Sequence, residues 1–90
     1  MPDDDKSEII KQCIGMLDSV IADDSVPRNI RRSAEEVRGI LADSTEAPSV
    51  KAASVISMLD SISNDPNIPV HTRTIIWGIA SQLETVTVGN

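Results

Sequence analysis

The sequence predicts an all-α fold: an antiparallel, up-and-down four-helix bundle made of two tandem helical hairpins. Three observations carry this. Apolar residues recur at spacings of three and four in four separate stretches, the pattern of helices that bury one face. Three short polar breaks divide those stretches, and each ends in a proline. The second half of the chain also repeats the first at an offset of 42 residues, which carries Pro27 onto Pro69.

In the first stretch Ile9, Ile10, Cys13, Ile14, Leu17, Val20 and Ile21 draw one stripe along a helix of about five turns. Acidic residues precede it, where the positive end of the helix dipole favours them. Asp23-Asp24-Ser25 stops it, since these side chains favour turns. Pro27 reads as the first residue of the second helix, a position where its missing N–H costs nothing. Ile30, Ala34, Val37 and Leu41 form that helix's inward face, with Ile40 at the edge, and Asp43 to Glu46 ends it. Pro48 opens the third helix, whose stripe is Ala52, Val55, Ile56, Leu59 and Ile62. Asn64-Asp65-Pro66-Asn67 breaks the pattern, and Pro69 opens the fourth helix, with Thr72, Ile75, Ile76, Ile79, Leu83 and Val86 inward. Residues 85–90 are expected to fray. Short connections make neighbouring helices antiparallel.

The repeat lays Met16-Leu17-Asp18-Ser19 on Met58-Leu59-Asp60-Ser61, Asp23 on Asp65, Arg31 on Arg73 and Leu41 on Leu83, without a gap. Matching apolar periods explains the aliphatic pairs but not both prolines and both arginines at one offset. The unit has the length of a HEAT-type helical hairpin, yet a solenoid wants about three such units. Two hairpins closing face to face bury both stripes better. The expected layout is one domain over 1–90, with an acidic tail over 1–6, a first hairpin over 7–46 and a second over 47–90.

The segments Ser25-Val26-Pro27-Arg28-Asn29-Ile30-Arg31-Arg32 and Asn64-Asp65-Pro66-Asn67-Ile68-Pro69, followed by His71, Arg73 and Ile76-Trp77, resemble an archaeal family of small, uncharacterised, all-helical proteins. The resemblance covers nearly the whole chain after the acidic residues. It implies four helices in up-and-down order and an archaeal cytoplasm. It implies no activity and transfers no catalytic or binding residue.

Composition narrows the function classes. With one Trp and no Phe or Tyr, the core is aliphatic. A net charge of −6 argues against nonspecific adhesion to DNA or anionic membrane. No apolar run is long enough to span a bilayer, and Met-Pro-Asp-Asp-Asp does not read as a signal peptide. A single cysteine allows no intrachain disulfide, which suits a reducing cytoplasm. Cys13 lies on an apolar stripe and reads as a buried small hydrophobe, not a nucleophile. His71, at the start of the fourth helix, lacks an evident orienting partner for general-base work. One His and one Cys leave zinc short of good ligands, and no calcium loop, phosphate cradle or nucleophile elbow is present. The expectation is therefore no enzyme, no metal and no cofactor. Gly15, Gly39 and Gly78 fall inside helices, where close helix approach would offset their cost.

Two features stand out on the polar rims. Arg28, Arg31 and Arg32 open the second helix, at the end where the dipole disfavours cations. Local pairing is one account: Asp23 and Asp24 lie just before, and Glu35 and Glu36 stand four residues beyond Arg31 and Arg32. A grip on phosphate or carboxylate is the other. Trp77 falls on the flank of the fourth helix, one turn after Arg73, at the position that Glu35 holds in the first repeat. A lone flank Trp most often packs beneath a loop or terminus; otherwise it anchors a partner. Arg28, Arg31, Arg32, Arg73 and Trp77 are therefore the candidate partner-binding residues. The expected function is a protein-interaction module, its partner unidentified or a second copy of itself. The alternative is a nucleic-acid-associated accessory protein using the arginine edge, which the acidic body and the lack of an aromatic among the arginines disfavour.

Overall fold

The computed structural model describes residues 3–88. Four helices follow one another: α1 (Asp3–Ile21), α2 (Arg28–Ala42), α3 (Pro48–Ser63) and α4 (Val70–Val88). Each packs on its neighbours in the cycle α1–α2–α3–α4–α1; of the two diagonals, α1 touches α3 while α2 and α4 do not meet. That is the up-and-down bundle, elongated at 37 × 19 × 16 Å. It places the α1–α2 and α3–α4 turns at one end and the α2–α3 turn at the other.

The core is aliphatic and continuous. Cys13, Leu17, Ala34, Val37, Val55, Leu59, Ile76, Ile79, Leu83 and Val86 are all fully buried. Ile14, Ile56, Ile75 and Ile40 are half-buried at the edges of the stripes. Burial of Leu, Ile and Val side chains at roughly 1.5–3 kcal/mol each supplies the driving force. Val26 and Ile68, at equivalent places in the two same-end turns, also tuck into the core and hold those turns down.

Several boundaries differ from the sequence expectation. α1 begins at Asp3, so the stretch set apart as an acidic tail is helical from there; Met1 and Pro2 lie outside the described residues. α4 continues through Thr85 to Val88 because Val86 is a core residue that anchors the last turn; Gly89 and Asn90 lie outside the described residues. Pro27 is the cap before α2, with φ −56° and ψ 148°, and not its first residue. Its carbonyl accepts from the amides of Ile30 and Arg31, as that of Pro69 accepts from Arg73. Pro48 does occupy the start of α3.

The in-helix glycines are the other departure. A methyl group at Gly15 or Gly39 would meet nothing within 4 Å, and only Gly78 has a close neighbour, Met16 Cε at 3.4 Å. Close helix approach therefore accounts for none of the first two. Both face open space, and nothing in the fold requires glycine there.

Candidate functional site

The five candidate residues fall on two helices that do not touch. Arg28, Arg31 and Arg32 share one face of the first turns of α2. With Glu35, one turn on, and Ile21 at the end of α1 they line a groove of about 310 Å³. The expected local pairing is nearly absent. Arg31 Nη1 reaches 4.0 Å from the exposed Asp24 Oδ1. Among the described residues Arg28 and Arg32 make no ion pair, and neither Glu35 nor Glu36 bridges to an arginine one turn away. The buried Nε of Arg31 has no acceptor. α2 also lacks an acidic residue in its first turn and a side-chain cap, so its positive end is not offset locally.

On α4, Arg73 and Trp77 come together. Arg73 Nε donates to the Ser63 carbonyl at 3.2 Å, which draws the side chain along the bundle surface. Its Cζ then sits 5.9 Å from the centre of the Trp77 ring, within cation–π range. Trp77 is 58% exposed and Val70, two turns before it, 79%. Packing beneath a loop or terminus is thus not what happens to this indole. It follows α4's outer face because positions 76, 79 and 83 already fill the inward one. The α2 arginines and the α4 pair form separate patches, since α2 and α4 stand on the diagonal.

His71 does have a partner, and it comes from the other hairpin. Its Nε2 lies 2.9 Å from Asp23 Oδ2 and 3.5 Å from Ser25 Oγ. Both neighbours meet the same ring nitrogen, whereas a relay needs a different group on each. Ser25 Oγ and its amide both donate to Asp23 Oδ1, at 2.6 and 2.9 Å. The hydroxyl proton is therefore committed to the turn. These bonds, with Ser25 first and His71 next, pull Asp23 from the ordinary 3.8 down to about 2. Cys13 is sealed in the core, its Sγ 4.0 Å from the Ile79 carbonyl, and burial pushes its thiol up to about 11. A thiol held protonated at neutral pH is a poor nucleophile.

Comparison with known proteins places this geometry in a wider group. The family model described as "Uncharacterised protein family (UPF0147)" matches residues 1–86. The chain belongs to UPF0147. A UPF0147 protein of Methanosarcina acetivorans is 54% identical over 88 residues, covering 98% of this chain and 91% of the relative. One from Sulfurisphaera tokodaii is 51% identical over 82 residues, covering 91% and 92%. The crystal structure of a UPF0147 protein from Thermoplasma acidophilum superposes with a TM-score of 0.82 at 35% identity, covering 88% of this chain and 93% of that one. The crystal structure of the protein of unknown function MMP1188 gives 0.81 at 45% identity, covering 86% and 88%.

Within this UPF0147 chain the structure adds two polar devices that the sequence reading passed over. The first joins the two same-end turns. Asn29 Nδ2 donates to Asp65 Oδ2 at 3.0 Å, and Asp65 Oδ1 accepts the Asn67 amide at 2.8 Å. Asn29 and His71 are equivalent at the 42-residue offset, as are Asp65 and Asp23. Each turn's aspartate thus folds its own loop with one oxygen and reaches across to the opposite hairpin with the other. The recurring Asp was visible in the sequence; its cross-hairpin partner needed the bundle. The second device is Lys51, only 8% exposed, whose Nζ donates to the carbonyls of Leu41 at 2.9 Å and Asp43 at 2.8 Å. It caps the end of α2, where backbone carbonyls are left over. A lysine four residues before the core Val55 was the available signal.

Proposed function

We propose that this chain is a non-enzymatic interaction module that docks a protein partner through the α4 flank of Val70, Arg73 and Trp77. The observation that carries the reading is Trp77, 58% exposed on a helix whose other large apolar side chains are mostly inward. Indole and guanidinium are the side chains that most often anchor protein contacts. Arg73 sits over the ring while more than half of the indole stays in water, so the fitting partner offers an apolar seat for the indole and a carboxylate for the arginine. The aliphatic core, the sealed thiol and a histidine committed to a turn all favour binding over catalysis.

The size of the anchor follows from its exposure. A tryptophan with 58% of its surface in water has roughly 90–140 Å² left to cover, about 2–3.5 kcal/mol of apolar burial. Trp77→Ala is expected to weaken partner binding on the order of 30- to 300-fold without loss of helicity. Two measurements test this. Sedimentation equilibrium of the wild type and of Trp77→Ala reports a second copy as partner. Photo-cross-linking from position 77 in the native cell, with Val50 at the far end of α3 as the control position, reports a different protein. Wild-type protein that stays monomeric when concentrated and gives the same cross-links from both positions refutes the reading. The nucleic-acid alternative draws on Arg28 and Arg32, which make no ion pair among the described residues. Its mark is a steep loss of affinity with salt, which an indole contact does not show.

A further inference from the structure

The α2 groove carries an inference independent of the Trp77 reading. We infer that it is a binding site for a compact oligophosphate anion: pyrophosphate, tripolyphosphate or the phosphate tail of a nucleotide.

The arginines themselves carry the argument. Arg28, Arg31 and Arg32, at i, i+3 and i+4 of α2, bring three guanidinium groups to one concavity of about 310 Å³. In a protein of net charge −6, with 14 acidic against 8 basic side chains, unneutralised cations should be scarce. Yet Arg28 and Arg32 meet no carboxylate among the described residues, and Arg31 meets only the distant, exposed Asp24. The equivalent residue of the other hairpin shows what is missing. Arg73 Nε donates to the Ser63 carbonyl, whereas Arg31 Nε is buried without an acceptor. The first hairpin thus leaves Arg31 without the backbone anchor that Arg73 has, while its guanidinium lines the charged groove. Phosphate oxygens suit such donors, because a guanidinium fork grips them in pairs.

Size and surroundings choose among phosphate carriers. The groove stands at the small end of the range for ligand sites, about 300–1,000 Å³. It has room for two or three phosphoryl groups. Glu35 lines it too, and its carboxylate repels an anion that extends past the three guanidinium groups. No aromatic lines it to stack a base, and the body beyond is acidic. A short, dense anion fits; a nucleic-acid strand does not.

The test is an amide-resolved NMR titration at constant ionic strength, set with potassium chloride. Pyrophosphate, tripolyphosphate and ATP are the probes; adenosine, sulfate and a single-stranded RNA are the comparison arms. Saturable shifts centred on Ile21 and residues 28–35 are expected from the three oligophosphates and none from adenosine. Pyrophosphate binding with a silent ATP assigns free oligophosphate as the source, and ATP binding at least as tightly assigns a nucleotide tail. The double variant Arg28→Ala/Arg32→Ala, whose side chains are exposed and make no pair, keeps its fold and binds at least about 10-fold more weakly. Arg38→Ala, whose arginine pairs with Asp18 and does not line the groove, is the control and binds as the wild type does. Absence of saturation at millimolar pyrophosphate, an equal response to sulfate, or unchanged affinity in the double variant overturns the site. RNA binding more tightly than any oligophosphate overturns it as well. None of these outcomes bears on Trp77, whose variant should bind the anions normally.

Discussion

Replacing Thr72 by valine should make the protein more stable. Thr72 stands in the first turn of α4, facing inward, 1% exposed, and its hydroxyl has no hydrogen-bond partner. The residue 42 positions earlier in the sequence is Ile30, buried to the same degree. An unpaired buried hydroxyl costs about 1–3 kcal/mol. Valine keeps the shape and puts a methyl group where the hydroxyl was, and the helix propensities of the two residues nearly cancel. The expected gain is about 1–3 kcal/mol, with Tm rising about 4–8 °C per kcal/mol in a domain of this size. Urea unfolding followed by far-UV circular dichroism measures it. Thr72→Ser is the companion variant. It keeps the hydroxyl and gives up the methyl, so it should fall below the wild type by about 1 kcal/mol. A valine variant no more stable than the wild type would show that the hydroxyl has an acceptor. The obvious one is the carbonyl one turn back, which Thr74 uses by donating to Val70 at 3.2 Å.

Other outcomes follow from the same structure. Gly15→Ala and Gly39→Ala should each add about 1 kcal/mol, because both positions are helical and open; Gly78→Ala should add less, since the new methyl meets Met16 at 3.4 Å. Denaturant midpoints of the three variants check the ranking. Lys51→Met keeps the aliphatic stem but leaves the Leu41 and Asp43 carbonyls without their cation, a loss of about 1.5–3 kcal/mol in the same assay. Asp23 sets an acid limb. Its carboxyl is lowered to about 2 when folded, so the unfolded chain binds the extra proton. Stability from this group is complete above its ordinary value of 3.8 and is lost as pH falls toward 2. Asp23→Asn should flatten that part of the stability–pH curve, and an unchanged slope would count against the carboxylate's bonds to Ser25 and His71.

Periodicity carried most of the fold. Every fully buried residue of α2, and Val55, Leu59, Ile76, Ile79 and Leu83, lies where spacings of three and four place it. Such stripes are visible in one dimension because a helix turns them into a face. The ends of α1 and α4 were harder to see, because helix termini depend on what the last turn packs against. The candidate site was only half legible. Residue types flagged the arginines and Trp77, but whether Arg31 meets Glu35, or the indole is covered, depends on rotamers and on neighbouring helices. The Asn29–Asp65 and His71–Asp23 bonds join residues 36 and 48 apart in the chain, which no local pattern reveals. Glycine misled for a related reason. Its cost in a helix suggests a close contact, and the open surroundings of Gly15 and Gly39 offer none.

The placement of the lone indole has a practical consequence for spectroscopy. Trp77 is the chain's sole Trp, Tyr or Phe and already stands largely in water, while the interior is aliphatic and silent in the near ultraviolet. Intrinsic fluorescence will therefore change little when the bundle melts, and a flat emission trace during heating should not be read as resistance to unfolding. The same probe is well suited to docking: a blue shift on mixing with another molecule reports that the α4 flank has left solvent, free of any folding signal.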